Sequence, residues 1–276
     1  VTMQSQLTQP IGDLLREWRK RRKLSQLELA VHAEISARHL SFVETGRSVP
    51  SRDMVLRLGE ALDLALRERN QLLLAAGYAP AYRESNMEDP RMASVREMVR
   101  QVLAAHEPFP ALVLDRYWNR VEANDPAWLF RVGVSPVLLE EPVNVLRLAL
   151  HPEGLAPRTA NLGEWRAHLL ARVRQQITMT ADPALIKLYD ELVEYPCDQP
   201  EPEVELPGPG EIAVPLRLRH KEKELVFYST VSTFGTPLDI TVAELAIESF
   251  FPADPQTAEV LRATDWQALA ETCCAG

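Results

Sequence analysis

The 276-residue sequence lacks any apolar run of the about 18–20 residues that a bilayer-crossing helix needs. It has little cysteine. Cys197, Cys273 and Cys274 show no metal-ligand or redox spacing, and the adjacent pair is expected to be free rather than bridged. It also lacks the G-x-S-x-G elbow, the Walker loop, G-x-G-x-x-G and H-E-x-x-H. Those absences argue against the motif-bearing hydrolases, P-loop nucleotidases, dinucleotide enzymes and zinc proteases. There is no excess of positive charge: the net charge of −9 argues against indiscriminate nucleic-acid binding. Val1 to Pro10 is polar and has no signal-peptide apolar region, so a cytoplasmic protein without a membrane partner is the expectation.

What is present is unevenly placed. Residues 1–83 hold 13 Lys or Arg against 9 Asp or Glu, and the remainder holds 17 against 30. A basic small domain joined to an acidic larger one suits a specific DNA reader with a separate sensing part. The length allows two domains, each with its own core.

Residues 25–47 organise the first half. Ser25 with Glu28 is an S-x-x-E capping box, and Leu27, Leu29 and Ala30 give the helix it opens an apolar side. Glu34-Ile35 is a short break, Ser36 caps a second helix, Leu40 and Val43 share a face, and Gly46 stops it. Two short helices joined by a tight turn describe a helix-turn-helix. Before it, Ile11, Leu14, Leu15 and Trp18 form one stripe of a helix over Ile11–Arg22 that ends in the basic run Arg19 to Lys23. That run reads equally as a solvated helix end and as a phosphate-contacting surface. After it, Pro50-Ser51 opens a fourth helix, and Leu66 to Ala76 forms a fifth with Gly77 as its stop.

The pattern Ser25-Gln26, Leu29-Ala30, Ile35-Ser36, Leu40-Ser41, Glu44-x-Gly46 and Pro50-Ser51 resembles the Cro/C1 (XRE) DNA-binding family. The resemblance implies an all-α five-helix domain over residues 10–80 that docks its third helix in the major groove of an operator duplex. It implies that Arg19 and Glu44 form a structural pair. It places Gln26 at the DNA backbone and Ala37, Arg38 and Phe42 toward the groove. Arg38 is the expected base reader, since its fork matches guanine O6 and N7. Phe42 is suited either to a thymine methyl or to packing under the helix. His39, Ser41, Arg47 and Arg52 are expected at phosphates, and the cap Ser36 belongs to the same surface. One such head makes few contacts, so a homodimer on two half-sites is expected.

Residues 81–89 read as a linker. A helix then runs from Asp89-Pro90 to about His106, followed by short strands at 111–115 and 119–123 and helical stretches at 124–130, 143–150, 161–178 and 182–194. Residues 196–211 hold five prolines and read as an exposed loop. Alternation returns at 214–220. A charged turn at 221–224 leads to a second strand through Leu225, Phe227, Thr230 and Val231, a third covers 246–251, and a helix begins near Asp254. This order fits an α+β PAS-like domain with an antiparallel sheet and helices on one face.

Several motifs in residues 90–276 are similar to the ligand-binding domain of MmyB-like transcription regulators. They are Asp115-x-x-Trp118-Asn119, Asn144-x-Leu146-Arg147-x-x-Leu150-His151-Pro152, Asn161 with Trp165, Leu169-Leu170, Thr233 to Pro237, and Phe251-Pro252. The resemblance implies a small, fatty-acid-like apolar effector and no other cofactor. Trp118, Trp128, Trp165, Phe227, Phe234 and Phe250 supply apolar area for a pocket, with Trp118, Trp165, Phe227 and Phe234 as the candidate lining and core packing as the alternative for most of the six. Arg147, His151, Arg172 and His220 are the candidate partners of an effector carboxylate, with Arg147 first. The Asn144–Pro152 motif reads equally well as a structural corner.

A catalytic trio such as His151, Asp115 and Ser135 can be drawn, but no motif fixes its geometry. His32 and His39 are seven apart with a turn between them, so no metal site is expected. Two other readings stay open. One is an acyl-ligand enzyme or carrier with an autoregulatory DNA-binding head, and the other is a constitutive DNA binder whose second domain only dimerises.

Overall fold

A computed structural model describes residues 9–200, 213–266 and 268. Cys273, Cys274 and most of the proline-rich loop lie outside the described residues. The chain forms two compact units, one up to Asn86 together with Thr236–Ala243, the other Met87–Gly235 and from Glu244 onward.

The first unit contains α1 (Ile11–Arg21), α2 (Gln26–His32), α3 (Ala37–Glu44), α4 (Arg52–Ala61) and α5 (Leu66–Ala75). Local chemistry sets their starts. The capping box of α2 is complete in both directions, Ser36 Oγ accepts from the His39 N–H, and Ser51 Oγ accepts from the Met54 N–H. Leu15, Trp18, Leu29, Leu40, Val43, Val55, Leu58, Leu72 and Leu73 close one core. Gly12 lets α1 cross α3 closely, since a Cβ there would stand 2.5 Å from the Val43 carbonyl oxygen. Gly46, at φ +72°, ends α3 in the left-handed region.

The sequence reading assigned the whole of 90–276 to the second domain, but Thr236–Ala243 belongs to the first unit. Asp239 Oδ1 accepts from the Ser85 N–H, Thr241 Oγ1 donates to the Ser85 carbonyl, and the Ile240 N–H donates to the Arg83 carbonyl. These bonds are made by short side chains and backbone, which carry no periodic signal.

The second unit is built on a five-stranded antiparallel sheet in the order β2-β1-β5-β4-β3. Its strands are β1 (Ala111–Leu114), β2 (Arg120–Ala123), β3 (Leu216–His220), β4 (Lys223–Thr233) and β5 (Ala246–Pro252). Its helices are α6 (Ala93–Ala105), α7 (Val145–Leu150), α8 (Leu162–Thr180), α9 (Pro183–Glu194) and α11 (Pro255–Ala263), while the short α10 (Ile240–Glu244) closes the Thr236–Ala243 segment. This is the α+β PAS-like architecture expected. One expectation needs correction: helical cover is not confined to one face. Leu112, Leu114, Leu216, Leu218, Leu225, Phe227 and Phe250 face a core shared with α7, α8 and α9. Ala111, Val113 and Ile247, alternating with them, pack against Val99 and Leu103 of α6.

The corner between the β1–β2 turn and Asn144 is structural in its connections. Asp115 accepts from the Tyr117 and Asn119 N–H groups and from Asn119 Nδ2. Asn144 donates to the Tyr117 carbonyl and to Asn119 Oδ1 while its own Oδ1 caps α7. These bonds hold the β1–β2 turn, in which Trp118 adopts φ +67°.

Candidate DNA-binding and effector sites

On α3, Leu40, Val43 and Glu44 face the core, and Ala37 packs against that core rather than facing outward as expected, which leaves Arg38, Ser41 and Phe42 on the outer side. Arg38 is exposed, and its guanidinium lies over the Phe42 ring at 5.4 Å. That stacking orients the fork while leaving its donors outward. Arg47 and Arg52 are exposed beyond the end of α3 and at the start of α4. Ser36 and His39 are tied together at the helix start, and Ser41 uses its carbonyl to accept from Thr45 Oγ1.

The Arg19–Glu44 pair is present and bidentate, at 2.6 and 2.9 Å. The Glu44 side chain is 0 % exposed. Burial pushes its carboxyl up, but the hydrogen bonds from Arg19 and Gln26 and the charges of Arg19 and Arg16 outweigh that and hold it below the usual carboxylate range. Gln26 Nε2 donates to Glu44 Oε2 at 2.8 Å. Its amide is therefore oriented by a core carboxylate, a role the sequence reading did not give it. Most of the basic run Arg19 to Lys23 is engaged as well. Arg21 pairs with Glu17, and Arg22 donates to the Leu62 and Asp63 carbonyls.

The second unit holds a cavity of about 270 Å³ between the sheet and the helices that cover it. Leu112 and Trp118 line it from β1 and the following turn, Glu248 and Phe250 from β5, Leu146 and Ala149 from α7, and Trp165 and Leu169 from α8. Arg120 and Val121 on the edge strand β2, and Trp128 and Arg131 beyond it, are partly or fully exposed lining, so the cavity opens on that side. Its walls on β5 are buried.

Of the candidate effector residues, Trp118 and Trp165 line the cavity. Arg172 stands behind its wall, bound to Glu248 at 2.9 Å and stacked on Trp118 at 4.6 Å. The others are elsewhere. Arg147 makes a bidentate pair with Glu191 at 2.7 and 2.8 Å, which raises the arginine and lowers the carboxyl. Tyr195, desolvated and donating to the same Glu191, is pushed up to about 12. His151 accepts the Glu153 N–H and packs edge-on against Tyr195. Phe227 is fully buried against Phe130 and Phe250, and Phe234 belongs to the opposite layer with α6. His220 ends β3, where burial and then the Arg158 and Lys221 charges hold its pKa down.

The cationic lining is Arg120 and Arg131 instead. Arg120 pairs with Glu141, and Arg131 lies over the Trp128 ring at 3.9 Å. Burial would raise the Glu141 carboxyl, but the Val143 N–H and the Arg120 and Arg131 charges hold it low. The drawn trio is not assembled: Asp115 is spent in the β1–β2 turn, His151 on Glu153, and no hydrogen bond joins either to Ser135. Among the described residues no group of three or more His, Cys, Asp or Glu is placed to hold a metal ion. No described helix is long and apolar enough to cross a membrane.

The MmyB-like transcription regulator ligand binding domain family matches residues 95–263, more than half of the chain. The chain belongs to this family. A helix-turn-helix domain family matches residues 10–72 of the same MmyB-like regulator. The protein is thus a DNA-binding transcription regulator that joins a helix-turn-helix head to a ligand-binding domain. No curated protein matches the sequence. Among solved structures, the regulator resembles the restriction-modification controller protein C.AhdI from Aeromonas hydrophila. The identity is 36 %, over 21 % of this chain and 89 % of that one, with a TM-score of 0.21. It also resembles an RNA-binding Light-Oxygen-Voltage receptor, with 13 % identity over 95 % of this chain and 64 % of the other and a TM-score of 0.26.

Proposed function

We propose that this MmyB-like regulator binds operator DNA as a homodimer through α3 and that a small, apolar, fatty-acid-like effector in the cavity of the second unit controls the binding. Arg38 reads a base step, Phe42 supports it, and Ser36, His39, Ser41, Arg47 and Arg52 face the sugar-phosphate backbone. Gln26 contributes to the same surface with its amide set by Glu44. The effector lies in the cavity with its chain among Trp118, Leu146, Trp165, Leu169 and Phe250 and its anionic group toward Arg120 and Arg131.

The observation that carries this reading is the cavity itself. Interiors are close-packed, and voids much larger than a water molecule are few. A space of about 270 Å³, walled mostly by apolar side chains, stands just below the range of about 300–1,000 Å³ usual for small-molecule sites. A space of that size suits the alkyl chain of a small amphiphile. The expected action is a shift in the arrangement of two DNA-binding heads, which requires that the effector bind one arrangement more tightly.

Native mass spectrometry of the purified chain tests both halves. A dimer carrying a lipid-sized adduct is expected, and the adduct should be displaced by added decanoate. A dimer that carries no adduct and takes up no decanoate would favour the constitutive DNA binder. Turnover of acyl esters by the purified protein would favour the enzyme reading.

A further inference from the structure

The apolar cavity contains one deeply buried carboxylate. Glu248 lies on β5, the central strand of the sheet, and is 4 % exposed. It shares a strand face with Phe250, and both line the cavity, whereas Ile247 just before it packs in the opposite layer. Among the described residues, Glu248 receives one hydrogen bond, from Arg172 Nη1 to Oε1 at 2.9 Å. An ionised carboxylate offers about four lone-pair sites, so most of its acceptor capacity is unused. Arg172 in turn lies across Trp118, another wall of the same space.

The pair is electrically balanced, so it does not demand a counter-ion. What it presents to the cavity is an acceptor. A methyl end against that acceptor would leave it unsatisfied, while a hydroxyl end would supply the missing donor. The opening on β2 is mixed in charge. Glu122 and Asp125 line it beside Arg120 and Arg131, and the two arginines, which carry only donors, suit an acceptor or anion. The two ends of the cavity therefore read two different groups on one chain.

We propose that the effector is a medium-chain amphiphile hydroxylated at its far end, with Glu248 as the residue that selects the hydroxyl. This rests on the cavity being the effector site. Its anionic end meets Arg120 and Arg131, its alkyl chain occupies the apolar space, and its terminal hydroxyl donates to Glu248.

Trp118, Trp128 and Trp165 line the cavity, so intrinsic fluorescence reports its filling. The full-length protein is titrated with decanoate and with 10-hydroxydecanoate. In a wholly apolar site the hydroxy acid would bind more weakly, since its hydroxyl would be desolvated without a partner. With Glu248 as acceptor it binds about tenfold more tightly. The control is the double variant Glu248→Met, Arg172→Met. Removing both members leaves no unpaired charge, and such replacements are commonly tolerated. The double variant should lose the preference for the hydroxy acid, read as the ratio of its two dissociation constants, whatever its absolute affinity for either acid. Equal or tighter binding of decanoate by the unaltered protein overturns the inference, as does a preference that persists in the double variant. If neither acid binds, the effector reading falls with it.

Discussion

Replacing Arg19 with alanine strips the Glu44 carboxylate of its principal partner. Arg19 supplies two of the hydrogen bonds that reach this carboxylate, at 2.6 and 2.9 Å, and the Glu44 side chain is inaccessible to solvent. Removing one member of a buried pair costs about 3–5 kcal/mol, because the remaining charge stays buried and uncompensated. Gln26 still donates at 2.8 Å, and Arg16 Nε stands 3.8 Å away, which puts the expected loss near the lower end, about 3 kcal/mol. A domain of this size has only about 5–10 kcal/mol of stability, so the loss is a large share of it. The pH dependence follows from the direction of the shift. The folded-state pKa of Glu44 lies below its unfolded value, so the stability it contributes is fully present above the unfolded pKa. It is lost as pH falls through the folded pKa. In Arg19→Ala that depression is largely removed, so the gap between variant and parent should narrow below about pH 4, under the ordinary Glu value. Because the second unit also contributes to any global signal, the loss is best read from hydrogen exchange of α1 and α3 amides in the intact chain. A loss under 1 kcal/mol at pH 7, or a gap unchanged between pH 7 and pH 3.5, would refute the reasoning.

Three further outcomes are expected. Arg38→Ala should weaken operator binding by about 1–3 kcal/mol and relax preference at one base step, measured by fluorescence anisotropy on a panel of single-base variants. An equal loss on every sequence would place Arg38 on a phosphate. Arg147→Ala should leave decanoate affinity within about twofold in a fluorescence titration and cost about 1 kcal/mol of stability or less, since its pair with Glu191 is partly exposed. Ala149→Phe should fill the cavity from α7 and lower decanoate affinity at least about tenfold while DNA binding without effector persists. Unchanged affinity in that variant would move the ligand elsewhere.

The head was legible because its signals are local. Ser25 with Glu28, Ser36 and Ser51 each act within three residues of their own position, and Leu40 with Val43 fixes which side of α3 is outward. The engagement of Gln26 was not legible, since Glu44 lies 18 residues away and reaches it only through the fold. The order of strands and helices in the second unit was readable from the change of period after Phe109. The cover of the second sheet face by α6 was not, although Val99 with Leu103 and Val113 with Ile247 carry the apolar positions that form it.

The cavity lining shows why aromatic residues and cations are poor pointers taken singly. Phe227 lies on the cavity side of β4, but Phe130 and Phe250 close around it. Phe234 falls just past β4 into the opposite layer. Arg147 sits in the Asn144–Pro152 motif, yet its partner Glu191 is 44 residues distant on α9. Arg131 could have been found, since it lies three residues beyond Trp128, within reach for stacking. Arg120 carries a weaker signal, a charge on a short strand directly after the Asp115–Asn119 turn. Glu248 had none, because an acidic residue on a central strand reads as an error of register until its arginine is seen.

The most direct test uses operator duplexes selected from a random pool by the full-length protein. Their dissociation constants are measured by fluorescence anisotropy at one fixed salt concentration, with and without saturating 10-hydroxydecanoate or decanoate. A change of at least about fivefold is predicted, the size of a typical coupling between two sites, and it should vanish in Ala149→Phe. A dissociation constant unmoved by either compound, in a protein whose cavity is shown to be filled, would contradict the account.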